Sequence, residues 1–222
     1  MTCVIFDLDG TLADTAADLI AAANSAMGQR VLDEGDHATA FRGGRAMLTL
    51  GLERLHGAAD KDEIDRLYQP LLDAYGEDIA VHTSLYPDAI ETVREMRGRG
   101  WSIGICTNKP EALAVQLMKA LDVEGLFGPI VGADTLPVRK PDPEHLRETV
   151  RRAGGEMART VLIGDTSTDR ETARRAGVPC ILVGFGPDGI DVEAMEPEAV
   201  LHRYEDLPEL VERVLDRAAA RA

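Results

Sequence analysis

No apolar run in this 222-residue chain approaches the ~18–20 residues that a membrane span requires. Basic charge is scarce as well: 24 Lys and Arg face 39 Asp and Glu, for a formal net charge of −15. That balance leaves no basic patch for phosphate backbones, which excludes nucleic acid and anionic membrane as expected partners. The N-terminus carries no basic stretch ahead of an apolar core, so no secretory signal is expected and the predicted location is cytoplasmic. Cysteine is limited to Cys3, Cys106 and Cys180, an odd number without metal-like spacing, each within or at the end of an apolar run. They read as buried, reduced thiols. Lysine is the rarest cation, at positions 61, 109, 119 and 140 only. An anionic ligand is still compatible with so acidic a chain, because surface charge is screened within about 8 Å at physiological salt.

What is present is a rhythm. Continuously apolar runs at residues 4–8, 102–106, 129–132, 160–164 and 180–184 read as strands buried on both faces. Helical patterns at 88–99, 111–121, 144–153 and 168–176 alternate with them, and 207–220 forms a further amphipathic pattern. This alternation predicts an α/β fold, a Rossmann-like parallel sheet core with helices on both faces. From Asp14 to about Thr83 only helical patterns occur, at 16–27, 45–55 and 63–76. The predicted organisation is therefore a core of residues 1–13 and 84–222, interrupted by a small all-α cap domain over 14–83. The run DRAAARA at 216–222 reads as a fraying helix end.

Ligands of open parallel sheets bind beyond the carboxyl ends of the strands. The residues in those places are Asp7 and Asp9 after the first run, Thr107 and Asn108 after the second, and Asp165 and Asp169 after the fourth. Alternation along a strand points Asp7 and Asp9 to one side. Two close carboxylates repel, and a divalent cation resolves the conflict; Mg²⁺ takes one or two carboxylates together with a substrate phosphate oxygen. Any one of these aspartates alone reads as well as a turn or cap residue, as Asp165 before Thr166–Ser167 does. Three at corresponding strand ends point to a site. Lys140 sits in KPDPEHL, where Asp142 suits a helix N-cap and Pro143 the first helical position. Its stiff mount makes it a candidate phosphate ligand, although solvation is the commoner fate of a lysine. At an effective dielectric near 20, two unit charges 4 Å apart interact by about 4 kcal/mol, which outweighs a screened distant surface. Thr107 and Asn108 place donors beside a helix start, an arrangement that a plain polar turn explains equally.

In this order, DLDGTLADT, CTNKP, KPDP and GDTSTDRETARRAG resemble the four motifs of the haloacid dehalogenase-like phosphohydrolase superfamily. The helical insert is similar to the cap of its C1 class, and YPDAIETVREMRGRGWSIGICTNKP is most similar to phosphoglycolate phosphatases. The resemblance implies a phosphatase that uses Mg²⁺ and acts on a small phosphorylated metabolite, as a monomer or homodimer. It implies Asp7 as the nucleophile that forms an aspartyl-phosphate and Asp9 as acid and then base. It further implies a metal held by Asp7, Asp165 and the Asp9 backbone carbonyl, with Asp169 in support, and phosphoryl oxygens gripped by Thr107, the Asn108 amide and Lys140. An acid at position 9 distinguishes phosphoryl chemistry from dehalogenation within this resemblance. FRGGRAML resembles the glycine-bearing cap loop, which makes Arg45 a candidate contact for a substrate carboxylate; a helix start with a solvated arginine accounts for it as well. Asp88 and Arg170 depart from the family pattern. Alternatives are a phosphosugar mutase of the same family, a phosphonate-cleaving relative using Lys61, and, from another class, a metabolite-binding protein without catalysis.

Overall fold

The computed structural model describes residues 1–186 and 192–220. They pack as two compact units: Met1–Ala13 with Leu85–Gly186 and residues 192–220, and Asp14–Ser84. The last two residues of the 216–222 run lie outside the described residues. No described helix is long and apolar enough to cross a membrane.

The first unit is built on a six-stranded sheet. Its strands are β1 (Cys3–Phe6), β4 (Ser102–Cys106), β5 (Ile130–Val131), β6 (Thr160–Gly164), β7 (Cys180–Val183) and β8 (Ala199–Leu201), in the spatial order β5-β4-β1-β6-β7-β8. All pairings are parallel, with Cys3 opposite Ser102 and Thr160, and Phe6 opposite Ile105 and Ile163. Every residue of β1, β6 and β7 is buried, which is why their sequences are continuously apolar rather than alternating. The connecting helices are α5 (Ala89–Gly98), α6 (Glu111–Ala120), α7 (Pro143–Arg152) and α8 (Ser167–Ala176), and α9 (Leu207–Ala219) closes the chain. The path runs outward from β1 to β5 and then reverses to β6. Right-handed crossovers therefore carry α7 and α8 to the face opposite α5 and α6. The reversal point lies at β1, so the carboxyl ends of β4, β1 and β6 meet at the crevice where such sheets bind ligands.

Two details differ from the sequence expectation. Strand β1 ends at Phe6 rather than Leu8. The Asp7 N–H makes the last ladder bond, to Ile163 O at 2.8 Å, and then the Leu8 carbonyl collects the N–H groups of Thr11, Leu12 and Ala13 in a tight turn. Gly10 takes φ of 78° there, a conformation that costs an L-residue with a Cβ. Strand β8 was not anticipated: three residues after Glu-Pro-Glu are too short a run to register as a period.

Between the strand residues at its two ends, the elements of the second unit are helical: α1 (Ala16–Met27), the single turn α2 (His37–Ala40), α3 (Gly44–His56) and α4 (Lys61–Glu77), with a 3-10 turn at Glu34–Asp36. The chain leaves and re-enters the sheet unit along two short paired strands, β2 (Ala13–Asp14) and β3 (Ser84–Leu85). Within the helical unit, buried Asp18 accepts the backbone N–H groups of His82 and Thr83 and the Thr83 hydroxyl, at 2.7–3.0 Å. Helices α1 and α3 approach closely at Gly51, where a Cβ would lie 2.4 Å from the Met27 sulfur. A second buried carboxylate, Asp36, receives both terminal nitrogens of Arg54 at 2.7 Å and caps Asp33 N–H.

Arg54 holds the Asp36 carboxyl below the usual carboxylate range, against the opposing effect of burial. A depressed folded value means that the stabilisation is complete above the unfolded pKa near 3.9 and is lost as pH falls through the folded value. Asp36→Asn is expected to destabilise the protein by about 1–2 kcal/mol at pH 7, because the guanidinium is half in solvent. It should also flatten the acid limb of the stability profile. Urea unfolding at pH 7 and at steps below pH 5 measures both.

Candidate active site

Strand ends deliver seven polar side chains to one region of the sheet unit. Asp7, just past β1, accepts Leu8 N–H at 2.7 Å through Oδ1, and its Oδ2 lies 3.0 Å from Lys140 Nζ. Asp9, carried round by the Gly10 turn, faces a different cation: its two oxygens receive Lys109 Nζ at 2.8 and 3.0 Å. Thr107 follows β4, donates its N–H to Val131 O and accepts Lys109 N–H on its hydroxyl at 3.2 Å. The Asn108 side chain donates to Lys140 O at 3.0 Å, tethering the lysine's backbone to the loop after β4. Lys140 reaches Asp169 Oδ1 at 2.6 Å, and Asp169 Oδ2 accepts the N–H and hydroxyl of Thr166 at 3.1 and 2.7 Å. Asp165 follows β6; its Oδ1 accepts the Thr11 hydroxyl at 3.2 Å, while Oδ2 is buried without a partner among the described residues.

The sequence explains these placements locally. Asp142 caps α7 by accepting Glu144 N–H at 2.9 Å and Pro143 opens the helix, so the Lys140 mount ends in a fixed helix start. Asp169, in the first turn of α8, folds back over the end of β6 because residue 164 is glycine: a Cβ there would sit 2.4 Å from the Asp169 Cβ and Cγ. Tyr204, buried beneath the first loop, donates its hydroxyl to Thr11 O.

Burial and like charge dominate the electrostatics. Burial pushes the Asp7 carboxyl up to about 6, with Lys140 opposing and Asp169 and Asp9 adding to the rise. Asp165 is raised well above the ordinary range by burial, then by Asp169 and Asp7. Lys140 is fully charged: burial works against its ammonium, but Asp169 and Asp7 more than offset it and raise its pKa. Asp7, Asp165 and Asp169 each offer an oxygen within 4.8 Å of the others. Among the described residues, four carboxylates in this region face two ammonium groups, and one buried carboxylate oxygen has no donor. Hard oxygen donors with surplus negative charge fit a divalent cation of the Mg²⁺ type.

The sheet unit thus brings together Asp7, Asp9, Thr107, Asn108, Lys140, Asp165 and Asp169. Asp169 falls within the acidic trio, yet Lys140 and Thr166 occupy both its oxygens, and the Asp9 carboxylate is held by Lys109. Sequence reasoning passed over Lys109, whose side chain is only 4% exposed; lysine scarcity and its place two residues beyond Thr107 were the available signals. Arg45 lies in the helical unit, where its guanidinium pairs with Asp65 and stands over the Tyr68 ring at 4.6 Å. Lys61 is the first residue of α4, behind the Asp60 cap.

Residues 4–183 match the family described as haloacid dehalogenase-like hydrolase. The chain is 41% identical over 225 residues to the phosphoglycolate phosphatase of Mesorhizobium japonicum, covering 97% of each chain. It is 35% identical to that of Caulobacter vibrioides, over 92% of this chain and 88% of the other. Among solved structures, a hydrolase from Pseudomonas syringae superposes with a TM-score of 0.75 at 25% identity, covering 96% of this chain and 99% of that one.

Gly164→Ala is expected to cost about 1–3 kcal/mol, since the methyl group meets Asp169 at a distance no side chain tolerates. The other glycine within a described β-strand, Gly104, would place its Cβ no nearer than 3.1 Å to a neighbouring atom. Denaturant unfolding of the variant against wild type reads the difference directly.

Proposed function

The chain belongs to the haloacid dehalogenase-like hydrolase family, and from that premise we propose that it is a Mg²⁺-dependent phosphatase of a small phosphorylated metabolite, with phosphoglycolate the leading substrate. One observation carries the reading. The two aspartates of the first motif are each paired with a separate buried lysine, and one of them, Asp7, shares an acidic trio with Asp165, whose second oxygen has no partner among the described residues. Such a site has an attacker, a proton carrier, a phosphoryl clamp and a cation cradle, with Asp7 serving as attacker and in the cradle.

In this reading Asp7 Oδ2 attacks phosphorus. The P–O bond to the leaving alkoxide breaks, and Asp9, protonated on entering the step, gives the alkoxide its proton and is left as the carboxylate that Lys109 holds. Water then attacks phosphorus of the aspartyl-phosphate, Asp9 accepts the water's proton, and Asp7 is released with inorganic phosphate. Lys140 and Thr107 neutralise and orient the phosphoryl oxygens, with the Asn108 N–H as a further donor. Lys109 keeps the Asp9 carboxylate turned toward the reacting centre. Asp7, Asp165 and the Asp9 carbonyl would hold Mg²⁺, and Asp169 would support them through Lys140. When bound, the ion supplies charge neutralisation between the carboxylates and the phosphoryl group. Burial that leaves Asp7 partly protonated without a cation is what such an ion would reverse. The compartment consistent with this reading is the cytoplasm, and the active form a monomer or homodimer.

Phosphoglycolate hydrolysis with Mg²⁺, without exchange between sugar-phosphate isomers, supports the phosphatase over the mutase. Inertness toward phosphoglycolate, p-nitrophenyl phosphate and a metabolite-phosphate panel would instead identify a binding protein. Asp7→Asn and chelation are each expected to abolish turnover; residual turnover in Asp7→Asn removes the nucleophile assignment. Asp9→Asn should lower kcat by about 10²–10⁴-fold. Arg45→Ala should raise KM for phosphoglycolate but not for p-nitrophenyl phosphate if Arg45 recognises a carboxylate, at the expense of its Asp65 pairing.

A further inference from the structure

A buried histidine lies behind the proposed chemistry and takes no part in it. His145, in the first turn of α7, is fully buried. Its Nε2 is 2.9 Å from Gly132 O and its Nδ1 3.3 Å from Cys106 Sγ. A carbonyl can only accept, so Nε2 carries the hydrogen and Nδ1 is the free acceptor. Cys106 is a suitable donor, because burial pushes its thiol up to about 12 and keeps the sulfur protonated. The ring is matched as a neutral imidazole. A second proton would put an N–H against an S–H. Burial disfavours that proton further and so does Lys140, with Gly132 O and Asp142 opposing.

The ring and the two groups it meets belong to three segments: two carry the proposed phosphoryl clamp, and the third, at the end of β5, braces one of them. Cys106 immediately precedes Thr107, Asn108 and Lys109. Gly132 follows β5, where Val131 O accepts Thr107 N–H and Ala133 N–H donates to Lys109 O at 2.9 Å. The fit at Gly132 is tight, since a Cβ there would stand 2.4 Å from Glu111 N. The helix that carries His145 begins three residues after Lys140, whose carbonyl is held by Asn108.

We propose that His145 is a positioning residue: its neutral imidazole, bridging Cys106 and Gly132, sets the Lys140 mount against the Thr107–Lys109 loop. The inference rests on the phosphatase reading for its kinetic consequence, but not for its structural one. Misplacing a clamp by a fraction of an ångström weakens transition-state binding more than ground-state binding. A loss in kcat with little change in KM is therefore expected.

The test compares His145→Met, which fills the volume without polar atoms, with His145→Gln, whose amide offers a donor and an acceptor. With p-nitrophenyl phosphate and Mg²⁺, the methionine variant should lose about 10–100-fold in kcat with KM within about threefold, and glutamine should recover most of the loss. Equal kcat in wild type and the methionine variant overturns the proposal. So does equal loss in both variants, which would reduce the histidine to packing. Nitrogen-15 spectra of the wild-type ring at pH 7 should show the Nε2–H tautomer; an Nδ1–H or doubly protonated ring contradicts it, even if the methionine variant does not fold. If wild type turns over no phosphate ester, the phosphatase reading fails on its own. Backbone amide shifts of Thr107, Lys109 and Lys140 then decide: movement in methionine with restoration in glutamine supports the positioning role, and unmoved resonances overturn it.

Discussion

The ammonium of Lys140, shut away from water between Asp7 and Asp169, is the interaction on which the sheet unit's polar end depends. Removing such an ion from water costs several kcal/mol unless its partners are close and themselves satisfied. Both conditions are met. Asp169 is held from the other side by Thr166, Asp7 by the Leu8 N–H, and the lysine's own peptide by Asn108. Small residues make the geometry possible, above all the glycine that ends β6 beneath the Asp169 side chain.

The adjacent like charges of Asp7 and Asp9 pose a problem that two separate cations solve. The turn at Gly10 sends the second carboxylate to Lys109, so the pair do not compete for one partner. Asp165 has no such arrangement. Its second oxygen is buried and, among the described residues, unpaired, and its charge is discouraged by burial and by both neighbouring carboxylates. In a chain of net charge −15, the anion-attracting groups are thus local, buried and few.

Much of this was legible in the residues. Strands buried on both faces show as unbroken apolar runs, so β1, β4, β6 and β7 declare themselves, and so do the strand-end polar residues. The helical insert was visible from the lack of any such run between Asp14 and Thr83. Strand β8 was hidden because three edge residues, two half-buried and one buried, carry no period. Lys109 and His145 were hidden for another reason. Their importance comes from partners 100 and 39 residues away, and a chain read locally contains no mark of which cation will meet which anion. The same holds for Arg45, whose partners Asp65 and Tyr68 belong to the following helix.

The fastening at Asp18 has an architectural consequence. One carboxylate near the start of the helical unit binds the backbone at its end, and the strands leading in and out run side by side. An excursion of some seventy residues therefore returns to its point of departure, imposing no separation on β1 and the remainder of the sheet. A segment joined in this manner is a cassette: it can be lengthened, shortened or exchanged between descendants of one ancestor while the hydrogen-bonded ladder beneath it keeps its register. Diversification can then proceed in the insert without renegotiating the core.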